Sequence, residues 1–243
     1  MSELARAARA VAGGRHIAVL TGAGVSAESG IPTFRGAGGL WRGFDSASLA
    51  TPEAFAANPK LVWEFYNWRR EIVARADPNP AHVALTKLAG RVPRLSLITQ
   101  NVDRLHHRAG SRGVLELHGN LWEIRCTRCG ETSDRTGDIL PPLPSCGACG
   151  GLARPAVVWF GEALPDDVWS AAQESVRDAD VLLVVGTSAV VYPAAALVTL
   201  GKRAGQTIIE VNLEPTPVSD AIDIGLYGKA GELLPQLVPS EQE

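Results

Sequence analysis

The stretch from Ile17 to Arg35, IAVLTGAGVSAESGIPTFR, constrains the fold of this chain most. Ile17–Leu20 is a short apolar run rich in β-branched residues, the pattern of a strand buried on both faces of a parallel sheet. Gly22-Ala23-Gly24 comes next, followed by small residues able to start a helix. A strand, a glycine turn and a helix start, in that order, let backbone approach a pyrophosphate and aim N–H groups at it. Gly22, Ala23, Gly24 and Ser26 are therefore candidate nucleotide contacts, with Ala27 at the third glycine position of the dinucleotide pattern. An ordinary βα turn with two glycines would read the same way, and that alternative stands at this point. Pro32 keeps Ile31 out of the α region, so a helix cannot run past it. Phe34 and Arg35 then fold back as a cover over a bound ligand.

A chain of 243 residues suits one α/β domain with an insertion, or two small domains. The formal net charge of −3 argues against a nucleic-acid or anionic-membrane surface. No apolar run nears the roughly 20 residues of a membrane span, and the N-terminus lacks a signal-peptide core. The expected compartment is the cytoplasm, where thiols stay reduced.

Taken in order, Glu3–Gly13 reads as an amphipathic helix ended by Gly13-Gly14. Gly38-Gly39-Leu40-Trp41 reads as a loop. Thr51-Pro52 and Asn58-Pro59 each pair a capping side chain with proline at the first helical position, the second opening a helix over Lys60–Ala76. Another helix runs from Asn79-Pro80 to Leu88, then a strand over Arg94–Thr99. Gln100, Asn101 and Asp103 sit just past that strand, where open α/β sheets bind ligands; an Asn/Asp turn with a helix cap is the plain alternative. Val114–Asn120 reads as a short strand ending at His118-Gly119. His118 differs from His16, His82, His106 and His107, which read as structural or exposed. It ends a strand, has backbone room beside Gly119, and its ordinary pKa suits a general base.

Cys126-x2-Cys129 and Cys146-x2-Cys149 lie sixteen residues apart, a zinc spacing. Four thiolates leave no open coordination position, so this zinc is read as structural. Two disulfides, or a nucleic-acid-binding ribbon, are the alternatives; the acidic Glu123, Glu131, Asp134 and Asp138 offset the nearby arginines. A helix over Trp169–Asp178 and a buried strand over Ala179–Val185 lead into Gly186-Thr187-Ser188, which fits phosphate and ribose contacts or a plain helix cap. Asn212 and Glu214, past a strand at Thr207–Val211, suit ribose hydroxyls or a plain exposed Asn turn, and small Ala230 leaves room for adenine. Tyr66 and Arg69 stand three apart on one helix, where a phenol donor and a guanidinium fork suit a carboxylate. Core Tyr66 with Arg69 and Arg70 on a solvated face is the other reading. Residues beyond Pro239 read as a frayed tail.

GAGVSAESGIPTFR, TQNVD, His118-Gly119, the four cysteines and Gly186-Thr187-Ser188 together resemble the sirtuins, NAD-dependent protein-lysine deacylases. The resemblance runs over roughly residues 8–235 with every motif in order. It implies a Rossmann-like parallel sheet with helices on both faces, plus a smaller lobe of zinc module and helical insertion. The implied division is NAD domain over 1–36, 81–122 and 154–243, helical module over 37–80 and zinc module over 123–153. It implies NAD as co-substrate, with Asn101 and Asp103 at the nicotinamide, Gln100 near the ribose and His118 taking a proton from a ribose hydroxyl. Val158, Trp159, Phe160 and Gly161, which by themselves read equally as an ordinary core strand and loop, would by the resemblance pair with substrate peptide by strand addition. Tyr66-x-x-Arg69 resembles the pair marking the bacterial and archaeal class III subgroup, which removes succinyl and malonyl groups and also acetyl. The expected enzyme is thus a monomeric deacylase acting on acyl-lysine in proteins. An ADP-ribosyltransferase, or a non-enzymatic zinc-ribbon or NAD-binding module, is the rival.

Overall fold

The structure, a computed structural model, describes residues 1–33 and 40–238. The expectations for Phe34, Arg35 and the tail beyond Pro239 fall outside them.

Six strands form one parallel sheet: β1 (His16–Thr21), β4 (Arg94–Thr99), β5 (Leu115–Glu116), β9 (Val181–Val185), β10 (Thr207–Asn212) and β11 (Ile224–Tyr227). Their order is β11-β10-β9-β1-β4-β5. The chain therefore builds outward from β1 in one direction, returns to its other side, and builds outward again. That is the doubly wound arrangement, and its direction reverses between β1 and β9. Alternate side chains of each strand point to opposite faces. Ile17 and Val19 pack under α1 (Glu3–Gly13) and α6 (Pro80–Ala89), in one core with Val11, Leu85 and Leu88. Ala18 and Leu20 face α8 (Asp166–Arg177) and α9 (Ala196–Arg203), in a second core with Val176 and Leu197. Both faces are covered, which is why these strands read as continuous apolar runs.

The smaller lobe has its own core. A three-stranded antiparallel sheet, β7-β6-β8, is built from β6 (Gly119–Cys126), β7 (Thr132–Asp134) and β8 (Ala153–Val157). Against it lies the long helix α5 (Pro59–Arg75), started by Asn58, whose side chain accepts from the Leu61 N–H at 3.0 Å, with Pro59 at the first position. Buried positions Val62, Phe65, Tyr66, Arg69 and Val73 mark one face of it. Trp63, Phe65 and Tyr66 share a core with Leu121, Trp122, Ile124 and Trp159 of the zinc sheet and the loop behind it. The Trp63 indole N–H donates to the Ala153 carbonyl at 2.9 Å. The helical insertion and the cysteine module are therefore one packed unit.

Four shorter helices complete the framework: α2 (Gly24–Ala27), α3 (Ser46–Leu49), α4 (Pro52–Ala57) and α7 (Leu105–Arg108), with α10 (Ala230–Leu233) near the end. The expected loop at Gly38–Trp41 instead contributes Leu40–Trp41 as β2, paired with β3 (Phe44–Asp45); Gly43 takes the tight turn between them at φ 82°. The expected single strand over Val114–Asn120 is in fact two. β5 ends at Glu116 in the parallel sheet, and β6 starts at Gly119 in the antiparallel one. Gly119 sits at φ 66°, where a Cβ would overlap the Ala156 carbonyl oxygen. Only glycine lets the chain change sheets there. His118 is consequently held at the crossing between the two lobes. The helix expected from Trp169 begins at Asp166, where two aspartates favour a helix N-terminus. Of the described helices, none is long and apolar enough to cross a membrane.

Candidate active site

The sheet reverses direction where β1 and β9 end, and both ends carry glycines. The Gly22 N–H donates to the Val185 carbonyl at 3.0 Å, and the Gly24 N–H to the Gly186 carbonyl at 2.7 Å. A Cβ on Gly24 would lie 2.7 Å from the Gly186 oxygen, and one on Gly186, at φ 58°, would strike the Val25 nitrogen. The glycines thus let two loops pack backbone to backbone, with Ala23 half-buried beside them. That close packing, besides any ligand approach, explains the Gly-x-Gly spacing.

β4 ends at Thr99 beside this junction and delivers Gln100, Asn101 and Asp103. Gln100 Nε2 donates to Thr187 Oγ1 at 3.0 Å, tying the β4 loop to the β9 loop. Thr187 Oγ1 also accepts from the Ala189 N–H, and the Thr187 carbonyl accepts from Asn212 Nδ2 at 2.9 Å. Ser188 is half-buried next to it. Glu214 is exposed beyond Asn212, and the Ala230 methyl faces the core under the sheet. Ala230 apart, these residues form one rim along the C-terminal ends of β1, β4, β9 and β10.

Beneath the rim lies a buried polar cluster. Asn101 Nδ2 donates to Ser26 Oγ at 3.1 Å, and Ser26 Oγ donates to Asp103 Oδ2 at 2.8 Å. Asp103 Oδ1 accepts the Leu105 N–H at 2.8 Å. Burial pushes the Asp103 carboxyl up, against the Leu105 N–H, the Ser26 hydroxyl and the Arg69 and Arg108 charges, which favour the anion. His82 closes the cluster. The Asn79 N–H donates to His82 Nδ1 at 3.3 Å, so the ring proton is on Nε2, which faces Ser26 Oγ at 3.4 Å. His106 packs on His82 with ring centroids 4.8 Å apart, and its Nε2 lies 3.0 Å from Thr21 Oγ1. Sequence reasoning missed both histidines as site residues. The available signal was His82 three positions after Asn79, where it completes a capping box at the start of α6.

Burial holds His82 down to about 4; burial, with the neighbouring imidazoles, holds His106 down to about 3. Both ordinarily titrate near 6.5. Between those limits the unfolded chain binds more protons than the folded one. Stability from this pair is then complete above about pH 6.5 and drains away as pH falls below it. Urea midpoints measured from pH 7 down to 5, above the range where most carboxylates titrate, should fall; a flat profile contradicts this reading.

His118 stands on the opposite wall. Its Nδ1 lies 2.9 Å from the Gln100 carbonyl, an acceptor, so Nδ1 carries the proton and Nε2 the lone pair. Among the described residues Nε2 makes no hydrogen bond. Burial lowers the His118 pKa below its ordinary value and so favours the neutral imidazole; the Gln100 carbonyl partly offsets this.

The helical side supplies Tyr66 and Arg69, and here the alternative of a solvated arginine face fails. Tyr66 is 1% exposed, Arg69 6% and Arg70 5%. The Trp159 indole N–H donates to the Tyr66 oxygen at 2.8 Å. Burial pushes the Tyr66 phenol up to about 12, so it stays a donor. Desolvation disfavours the Arg69 charge; Tyr66 and the Asp103 carboxylate favour it. A crevice lined by Ile31, Pro32, Trp68, Arg69, Ile72 and Val73 adjoins it. Val158 donates its N–H to the His118 carbonyl at 2.9 Å, and Phe160 donates to the Ala50 carbonyl at 2.9 Å. β8 itself stops at Val157, so Trp159 to Gly161 form a turn, with Phe160 and Gly161 exposed. The Arg154 guanidinium braces that turn, lying 3.4 Å from the Trp159 ring centre and gripping Glu162 at 2.5 and 2.8 Å.

The four cysteine sulfurs lie within 4.8 Å of one another, with Cys126–Cys149 at 3.5 Å and Cys129–Cys146 at 3.7 Å. A tetrahedral zinc with bonds of about 2.3 Å sets sulfurs roughly 3.8 Å apart. Backbone N–H groups of Arg128 and Cys129 point at Cys126 Sγ, at 3.3 and 3.4 Å, which favours the thiolate. The donor set fits one structural zinc ion. A cavity of about 300 Å³ in the same module, between Ile124, Arg135 and Pro144, shares no residue with the polar cluster.

A doubly wound sheet whose switch point carries glycine loops and a buried polar cluster places a ligand crevice there, as in the dinucleotide-binding class of α/β proteins. The Sir2 family profile matches residues 22–193, and the chain belongs to that family. It is 53% identical over 230 residues to the NAD-dependent protein deacylase 2 of Pyrobaculum aerophilum, covering 94% of this chain and 92% of that one. Among solved structures it resembles a Sir2 homolog–NAD complex, with TM-score 0.90, 50% identity and 96% and 92% coverage. It also resembles a Sir2–p53 peptide–NAD+ complex, with TM-score 0.84, 36% identity and 93% coverage of each chain.

Proposed function

We infer that this chain is an NAD-dependent protein-lysine deacylase that removes succinyl and malonyl groups, and acetyl as well. NAD-dependent deacylation follows from the family and from relatives carrying that name. The acyl preference rests on one observation: Tyr66 and Arg69 are buried together beside the cluster, with the phenol pinned by Trp159. A carboxylate at the end of an acyl-lysine matches a phenol donor beside a planar guanidinium fork, and acetyl has no carboxylate to offer.

NAD, as co-substrate, would supply a ribose carbon that the acyl carbonyl oxygen of the substrate lysine attacks as nicotinamide leaves. Asn101 and Asp103, held by Ser26, face the nicotinamide; Gln100 and Thr187 bound the ribose. Asn212 and Glu214 lie toward the adenosine end. His118 Nε2, with its lone pair free, takes a proton from a ribose hydroxyl so that the oxygen can attack the acyl carbon. The turn at Val158–Gly161 takes the substrate main chain. Water then completes acyl transfer, and the products are free lysine, nicotinamide and O-acyl-ADP-ribose.

Arg69→Met tests the acyl reading. A charge-assisted contact contributes about 1.5–3 kcal/mol, so kcat/KM for succinyl-lysine peptide should fall roughly 10- to 100-fold. Turnover of the acetyl peptide should change far less. Equal losses on both peptides would remove the carboxylate pocket.

A further inference from the structure

The residue after Asp103 is strained. Arg104 adopts φ 61° and ψ 21°, the left-handed region that a residue with a Cβ disfavours. Arg42 and Ala189 are the other non-glycine residues at positive φ among the described residues. What holds Arg104 there is visible. Its Nε and Nη2 reach the two oxygens of Glu116 at 3.2 and 3.4 Å, and Nη2 reaches Glu123 at 2.5 Å. Nη1 lies 3.7 Å from Asp134. Glu116 belongs to β5 of the parallel sheet, whereas Glu123 and Asp134 face each other on β6 and β7 of the zinc module. Asn120 Nδ2 adds a bond to Glu116 at 3.0 Å. One guanidinium thus fastens the two sheets together at the root of the Asn101–Asp103 loop.

The consequence for the site runs through two short bonds. Asp103 Oδ1 accepts the Leu105 N–H, a turn that spans Arg104, so the Arg104 backbone sets the direction of that carboxylate. The Trp122 indole N–H holds the Asp103 carbonyl at 3.0 Å from the β6 side. If Arg104 relaxed toward negative φ, the Asp103 carboxylate would turn away from Ser26. We propose that Arg104 is a positioning residue for glycosidic cleavage of NAD, its left-handed backbone locked by carboxylates from both lobes so that Asp103 stays on Ser26. The assignment rests on the reading of Asp103 given above.

The test compares Arg104→Ala, which keeps the Cβ and loses the clamp, with Arg104→Gly, which loses the clamp but adopts φ 61° without strain. The readouts are incorporation of labelled nicotinamide into NAD and steady-state deacylation, in variants whose circular dichroism and zinc content match the parent. Arg104→Ala should lower both rates roughly five- to tenfold, with the KM of the acyl peptide little changed. Arg104→Gly should recover most of the loss, a pattern that mere loss of stability would not give. Parent-like rates for Arg104→Ala overturn the proposal, and so does Arg104→Gly as slow as Arg104→Ala. Asp103→Asn run alongside separates the two levels. If it is inactive while Arg104→Ala is normal, only the clamp fails; if it is fully active, the reading of Asp103 fails with it.

Discussion

His118→Ala is expected to fold and to lose deacylation by roughly 10²- to 10⁴-fold, the usual contribution of a positioned general base. The fold should survive because His118 is only half-buried and the crossing it occupies is made by Gly119, not by the imidazole. The loss should be large because the ring is already prepared for one task. Nδ1–H donates to the Gln100 carbonyl, so Nε2 is the basic atom and no rotation or tautomer change precedes proton transfer. Burial lowers the pKa below the ordinary value near 6.5. The base is therefore ready at pH 7, and the acid limb of kcat/KM should lie below pH 6.5. Nicotinamide release without acyl transfer should persist better in this variant than net deacylation, because the carboxylate and amide beside Ser26 remain. Turnover of His118→Ala at the parent rate would refute the assignment.

Stripping zinc is expected to unfold the smaller lobe and to release about one metal ion per chain. Structural zinc in such modules binds with about 10–16 kcal/mol, more than the whole stability of an ordinary domain at its low end. The damage should spread past the cysteines because the core is shared. Trp63 and Tyr66 on α5 pack against Trp122 and Ile124 of the zinc sheet. Arg70 binds the carbonyls of Leu121, Arg135 and Asp138 at 2.5, 2.7 and 3.1 Å and lies under the Trp122 ring. Loss of metal should therefore collapse the near-ultraviolet signal of the tryptophans in this core, while helices on the parallel sheet persist. A chelated, metal-free protein with an unchanged tryptophan signal would contradict this account.

The parallel sheet was legible because its cause is local. Continuous apolar runs, each ending in glycine or polar residues, mark strands covered on both faces. The cysteine spacing was legible for the same reason, since each knuckle is a four-residue unit. The rest depends on partners far apart in sequence. Arg70 reads as a solvent-facing helix position until carbonyls more than 50 residues away are placed around it. His82 and His106 each look ordinary; together they floor the cluster under Ser26 only because α6 and α7 meet there. The run through His118 looked like one strand because apolar alternation carries straight across the crossing. The change of sheet is written only in Gly119 and the Ala156 carbonyl that needs its missing side chain.

The claim on which the account turns is that NAD lies along the rim at the switch point with its nicotinamide ribose beside His118. A crystal structure with NAD and a succinyl-lysine peptide tests it directly. The account predicts a ribose hydroxyl within hydrogen-bonding distance of His118 Nε2 and the succinyl carboxylate on Tyr66 and Arg69. A dinucleotide bound away from that imidazole would contradict it.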